Sequence, residues 1–329
     1  MDTMSSSRID RVPYLALKHT AGSEQPIFFS FSEQKAMDIA GIAELKNNNC
    51  WATPQGWILV RDASSSSTYL LDPRNPDTRI RLPHLPEELP MFSTCLLSDY
   101  PDTQPSFLVL LLEAYSTVMW YCRVDDEEWV KHEYDIGTQD LSDLGDGRSE
   151  KLPICPIAAC RGKFYFNASF DEVGVLEFCQ TPMFSRMTIP DAIDEVVGVL
   201  KIFMVESNKE LYMVSLLSSY DFDTVYRVRV YKLDFAKQEW IKVDNLGDRA
   251  FLISYWYFGA SRSADNCGLE RNCVYLIKPS AKCITIYNIT DETTKVLDLR
   301  EAPEWEQAMW MLPTDQYTRM LPTDQYTRV

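Results

Sequence analysis

Residues 230–243 read Val230-Tyr-Lys-Leu-Asp-Phe-Ala-Lys-Gln-Glu-Trp-Ile-Lys-Val243. A β-prone run, a polar turn opened by Asp, and a second β-prone run spell a hairpin, because alternating apolar and polar residues suit a half-buried strand. The same pattern recurs along the chain. Ile27-Phe-Phe-Ser-Phe precedes Lys35-Ala-Met-Asp-Ile, and Tyr69-Leu-Leu-Asp precedes Arg79-Ile-Arg-Leu. Met119-Trp-Tyr-Cys-Arg-Val precedes Trp129-Val-Lys-His, Val175-Leu-Glu-Phe precedes Ser185-Arg-Met-Thr-Ile, and Ile284-Thr-Ile-Tyr precedes Lys295-Val-Leu-Asp-Leu. These hairpins begin at residues 27, 69, 119, 175, 230 and 284, so the intervals are 42, 50, 56, 55 and 54 residues. Such a period is that of four-stranded propeller blades with generous loops.

The sequence therefore predicts an all-β chain, a six-bladed β-propeller, with the hairpins as the third and fourth strands of successive blades. Second strands are expected at Gly56-Trp-Ile-Leu-Val, Ser106-Phe-Leu-Val-Leu-Leu-Leu, Lys163-Phe-Tyr-Phe, Glu210-Leu-Tyr-Met-Val and Cys273-Val-Tyr-Leu-Ile. A two-sheet sandwich is the alternative, but sandwiches lack the long period. The first unit has only three runs, beginning with Tyr14-Leu-Ala-Leu-Lys, whereas Ala308-Met-Trp-Met-Leu312 has no partner in its own neighbourhood. Pairing of these N- and C-terminal strands would close the ring and remove two open sheet edges. The expected organisation is a disordered N-terminus over 1–12, one propeller over 13–312 and a loose tail over 313–329. Met311 to Arg319, which runs into that tail, is repeated without change as Met320 to Arg328.

Composition excludes several functions. The chain has 329 residues, 46% hydrophobic and 24% charged, and its 32 basic against 48 acidic residues leave a net charge of −16. That sign opposes a nucleic-acid backbone. Neither the P-loop nor the dinucleotide-binding glycine pattern occurs, and no apolar run approaches the ~20 residues of a membrane-spanning helix. The first residues have no signal-peptide character, so a cytosolic or nuclear setting is expected. Nine cysteines without a C-x-x-C pair then read as reduced core residues, and the sequons at Asn167 and Asn288 as accidental.

Catalytic signals are equally sparse. His19, His84 and His132 are isolated from one another and from any cysteine at zinc-ligand spacing, and no G-x-S-x-G elbow exists. No catalytic, cofactor-binding or metal-ligating residue is assigned. The alternative is a propeller hydrolase or lactonase with a calcium site at the central pore, for which Asp221 and Asp223 would be the carboxylates to examine. Asp125-Asp-Glu-Glu128 lies between two strands and reads as a solvated turn. Trp57, Trp120, Trp129 and Trp240 recur at strand positions and read as packing between blades. Tyr115, Phe170 and Tyr220 fall instead in second-to-third-strand loops of three successive blades, with Asp171, Asp221 and Asp223 beside them. Aromatic anchors with carboxylates around them describe a surface for a protein partner, one with a basic face. The opposite rim is placed around Arg262 and Arg271.

Particular strings carry a family resemblance. Asn75-Pro-Asp-Thr-Arg-Ile-Arg-Leu-Pro83 resembles a turn of plant F-box-associated proteins. Val230-Tyr-Lys-Leu-Asp, Trp240, Val243-Asp-Asn-Leu-Gly-Asp-Arg-Ala-Phe-Leu252 and Asn272-Cys-Val-Tyr-Leu276, with Gly56-Trp-Ile-Leu-Val60, resemble the plant family known as domain of unknown function 295, often labelled F-box/kelch-repeat. The resemblance covers residues 14 to 312 and implies a substrate-receptor module that binds another protein. Many members carry an N-terminal F-box that docks on the Skp1 adaptor of a ubiquitin ligase. Only about a dozen residues precede the first strand here, so direct Skp1 binding is not expected, and the resemblance implies a stand-alone binder or a competitor of longer relatives.

Overall fold

Strand follows strand at the expected places. In the computed structural model, residues 13–18, 27–30, 35–37, 43–45, 48–65, 67–86, 93–104, 106–140, 149–190, 199–218, 225–254, 258–277, 283–299 and 307–312 are described. The first blade takes β1 (Tyr14–Lys18), β2 (Ile27–Ser30) and β3 (Lys35–Met37). The second holds β4 (Asn49–Ala52), β5 (Ile58–Arg61), β6 (Thr68–Leu71) and β7 (Arg79–Leu82). The third holds β8 (Ser93–Leu97), β9 (Leu108–Glu113), β10 (Val118–Arg123) and β11 (Val130–Glu133). A separate hairpin, β12 (Thr138–Asp140) and β13 (Ser149–Lys151), interrupts the link to the fourth blade, which is β14 (Ile157–Cys160), β15 (Lys163–Phe166), β16 (Glu172–Phe178) and β17 (Pro182–Thr188). The fifth is β18 (Val199–Ser207), β19 (Glu210–Ser218), β20 (Val225–Asp234) and β21 (Glu239–Val243). The sixth contains β22 (Arg249–Ser254), β23 (Gly259–Ser263), β24 (Cys273–Ile277), β25 (Cys283–Asn288) and β26 (Thr294–Asp298). Finally β27 (Gln307–Met311) returns to pair antiparallel with β1, placing Trp310 opposite Leu15. The chain is a six-bladed β-propeller closed by its terminal strands.

Blades stack face to face, so inner and middle strands are dry on both sides and read as unbroken apolar runs such as Leu108 to Leu112. Outer strands see water on one side and alternate, as β17 does. Each wedge between blades has its own core. Trp57, Leu70, Val109, Trp120 and Trp129 fill the one between the second and third blades, and Tyr165, Met213, Tyr231 and Trp240 fill the one between the fourth and fifth. All four tryptophans assigned to packing are buried. The wedge at the closure joins Leu15 and Trp310 to Ile58, Leu252 and Tyr275.

The sixth blade departs from the expected four strands. Its strand order is β23-β22-β24-β25-β26, so β22 lies between the strand that should be innermost and the one expected second. β22 runs parallel to β24, with Leu252 opposite Tyr275, and a parallel pair needs a crossover. The connection between them runs through β23 and the short helix α1 (Ala264–Cys267), ended by Gly268 in the left-handed conformation at φ 64°. β23 in turn lies hard against β18. A Cβ on Gly259 would stand 2.6 Å from the Met204 carbonyl, so only glycine permits this approach.

Of the nine cysteines, Cys155 and Cys179 are exposed and do not belong to the core. Asn167 spends its amide internally, accepting from Cys155 N at 2.7 Å and donating to the Pro153 carbonyl at 2.8 Å. Asp126 accepts from Arg123 N at 2.7 Å, and the acidic run around it is the exposed turn between β10 and β11. Among the described residues no helix is long and apolar enough to cross a membrane. The proposed disordered N-terminus 1–12, the tail 313–329, His19, Tyr220, Asp221 and Asp223 lie outside the described residues.

Candidate functional site

Antiparallel order within a blade sends second-to-third-strand turns, and the links from one blade to the next, to the same face of the ring. On the third blade the turn between β9 and β10 is tied down by Glu113, which accepts from Ser116 Oγ at 2.6 Å and from Trp120 Nε1 at 3.2 Å. Tyr115 stands at its tip, 67% exposed. On the fourth blade the turn between β15 and β16 begins with Asn167 at φ 44°, a conformation asparagine tolerates. Trp240 Nε1 donates to the Ser169 carbonyl at 3.0 Å and anchors that turn from the fifth blade. Asp171 is exposed. Phe170 is not the free anchor expected: its ring is partly buried and meets Tyr231 edge-on at 5.5 Å, in the wedge between blades four and five. Phe170 and Asp171 are thus neighbours on one turn, and Tyr115 occupies the equivalent turn of the adjacent blade.

Between those two blades the same face holds a groove of about 230 Å³. Phe184 of β17 forms its wall, held by Phe166 at 6.2 Å, Tyr134 at 5.8 Å and a stacked His132 at 6.4 Å. Gly174 lies beside Phe166, and any Cβ there would collide with that ring. Asp135 and Glu172 stand among the lining residues with Arg186, whose Nη1 reaches Glu172 at 3.1 Å and whose Nη2 donates to the Ile136 carbonyl at 2.8 Å. His84 lines a separate groove of about 660 Å³ on the second blade, next to Arg79 and Arg81. His84 and His132 therefore sit on different blades.

First-to-second-strand turns gather on the opposite face, and there a buried polar network forms around the ring's inner strands. Glu206 accepts from Lys209 N at 2.7 Å and from Tyr100 Oη at 3.1 Å, which joins blade five to blade three across the intervening blade. Arg262 donates from Nη1 to the Ser261 carbonyl at 2.6 Å and from Nη2 to the Pro54 carbonyl at 2.8 Å, joining blade six to blade two. Ser207 and Ser261 hydroxyls lie 2.8 Å apart, and Arg249 Nε donates to Ser261 Oγ at 2.9 Å. Gln55 Nε2 adds a bond to the Leu97 carbonyl at 2.9 Å. Burial pushes the Glu206 carboxyl up from its ordinary range, while the Lys209 and Tyr100 hydrogen bonds and the two arginines pull it back. Burial likewise raises Asp99, against the pull of Lys209. Arg262, expected on an exposed rim, is instead 1% exposed at this inner network, whereas Arg271 is exposed and paired with Asp265. The sequence reading missed this burial, because the partner that permits it, the Pro54 carbonyl, lies 208 residues away.

Chemically, the inner network is buried, and the loop face offers exposed groups for contact. Among the described residues no three His, Cys, Asp or Glu side chains come together to hold a metal ion.

Comparison with known proteins adds the lineage. A family profile described as KIB1-4 beta-propeller matches residues 28–296. No curated protein matches the chain. Among solved structures, a functionally unknown protein from Desulfotomaculum acetoxidans DSM 771 is similar at TM-score 0.45 and 8% identity, over 92% of this chain and 99% of that one. Streptogramin B lyase is similar at TM-score 0.35 and 11% identity, over 89% of this chain and 85% of its own. Dihydro-heme d1 dehydrogenase NirN gives TM-score 0.35 and 11% identity over 91% of this chain, which spans only 56% of that protein. Likeness this low carries no argument about activity. The family match is consistent with the F-box-associated type of propeller read from the sequence, and it covers most of the chain: this protein belongs to the KIB1-4 beta-propeller family.

Proposed function

We propose that this propeller is a non-catalytic protein-interaction module of the substrate-receptor kind, which binds a basic protein partner through the loop face of blades three and four. The observation that carries the reading is Tyr115, 67% exposed on a turn held rigid by Glu113. A large rigid aromatic set among polar groups is the usual anchor of a binding surface. The exposed carboxylates of that face, on a chain of net charge −16, would draw a cationic partner and speed its encounter.

The test is capture of a partner by the parent protein, followed by binding measurements on that purified partner. Tyr115→Ala should weaken binding by about 1–3 kcal/mol, mostly through faster dissociation. Asp171→Asn should mainly slow association and flatten its salt dependence. Binding of the partner unchanged in both variants refutes the assignment of the face.

A further inference from the structure

We infer that the groove between blades three and four receives one arginine or lysine side chain of a protein partner. This rests on the loop face being the partner site, and it names what that face recognises.

Size comes first. At about 230 Å³ the groove is smaller than the about 300–1,000 Å³ of small-molecule pockets and suits a single long side chain. Its apolar lining, Phe184, Phe166, Ile136 and Leu152, matches a methylene stem. The acidic groups match the charged head. Asp135 is exposed, uses Oδ1 to accept from Gly137 N at 3.0 Å, and makes no salt bridge among the described residues. Glu172 is shared with Arg186, but the two side chains are 44% and 56% exposed, and a pair that open to water contributes little and exchanges readily.

The competing occupants fit less well. A purely apolar side chain would strip water from Asp135 without replacing it, which is unfavourable. An anionic one would face two carboxylates against one guanidinium already engaged with Glu172 and the Ile136 carbonyl. A cation satisfies both the wall and the rim, and an arginine can also lay its plane on Phe184.

The experiment is a titration of the whole protein, with isoleucine and leucine methyls labelled, by N-acetyl-argininamide and by its neutral isostere N-acetyl-citrullinamide. The Ile136 and Leu152 methyl signals should move saturably with the arginine compound, with affinity about fivefold or more above that for citrulline. Asp135→Asn, a surface change that keeps the acceptor for Gly137, should erase that preference. Equal responses to the two compounds, no response to either, or an undiminished preference in Asp135→Asn overturns the inference. The partner-site reading has a separate readout. If Tyr115→Ala releases the partner while the arginine compound leaves the methyls unmoved, the cation groove falls and the interaction face stands; the reverse pattern removes the face.

Discussion

Replacing Arg262 by alanine should unlock the inner network. Its side chain is 1% exposed and its guanidinium satisfies two backbone carbonyls, Ser261 O at 2.6 Å and Pro54 O at 2.8 Å, on blades six and two. Truncation leaves both carbonyls without their donor, at about 1–3 kcal/mol each, and removes a cation from the field of buried Glu206. Breaking a buried charged arrangement on one side typically costs about 3–5 kcal/mol, and we expect a loss in that range. Against a total stability of about 5–15 kcal/mol for a folded domain, this is large. Urea unfolding followed by tryptophan fluorescence is the assay, because Trp57, Trp120, Trp129 and Trp240 sit in the wedges and report blade packing. Arg262→Lys keeps the charge but not the fork, and should recover only part of the loss. Tyr100→Phe, which deletes only the hydroxyl on Glu206, should cost about 0.5–1.5 kcal/mol. A midpoint for Arg262→Ala within about 1 kcal/mol of the parent, at equal slope, would show that water or neighbouring groups replace the guanidinium and would refute the reasoning.

Other outcomes follow from the same geometry. Gly259→Ala should destabilise by about 1–3 kcal/mol, measured by the same unfolding curves, because the new methyl meets the Met204 carbonyl of the facing strand. Deleting residues 305–329 removes β27 and should lower the melting temperature strongly, whereas deleting 315–329 should change it little; equal effects would contradict ring closure. Glu206, raised by burial, holds its proton more tightly folded than unfolded. Its contribution is therefore full below the usual carboxylate range and is lost as pH rises through the raised value, and Glu206→Gln should flatten that part of the stability profile. Asp62 is opposite in sign: hydrogen bonds from Ser64 and Ser65 hold its carboxyl at about 2, so its contribution is present above 3.8 and fades as pH falls toward 2. Carboxyl NMR should show that low titration, and Ser64→Ala should move it upward.

Periodicity made the ring legible because the same physical problem, a strand pair with one dry wedge and one wet edge, is solved six times with similar residues. Trp120 and Trp240 announced their packing for the same reason. Closure was legible in the surplus run ending at Leu312, since three strands cannot complete a blade. The inserted β22 was hidden, because Phe251-Leu-Ile253 has the same apolar character whether it pairs parallel or antiparallel. The inner network was hidden too: nothing local distinguishes Arg262, whose partners are 208 residues away at Pro54 and one residue away at Ser261, from the surface Arg271. On the loop face, the turn position and exposure of Tyr115 could be read, but the burial of Phe170 depends on Tyr231 of another blade. The groove combines Asp135 of the linker with Glu172, Phe184 and Arg186 from two strands of blade four, so no short motif could signal it.

The pairing of Leu15 with Trp310 also sets a timetable for synthesis. The first blade emerges from the ribosome with one edge unpaired, and the strand that covers it begins 307 − 18 = 289 residues after β1 ends. At about 5–20 residues per second the wait is roughly 15–60 s. During that interval β1 is a template for any other exposed strand, including one from a second nascent chain. Holding that edge apart is work for a chaperone, and demand for it should rise with expression level and fall if the closing strand were grafted ahead of β1.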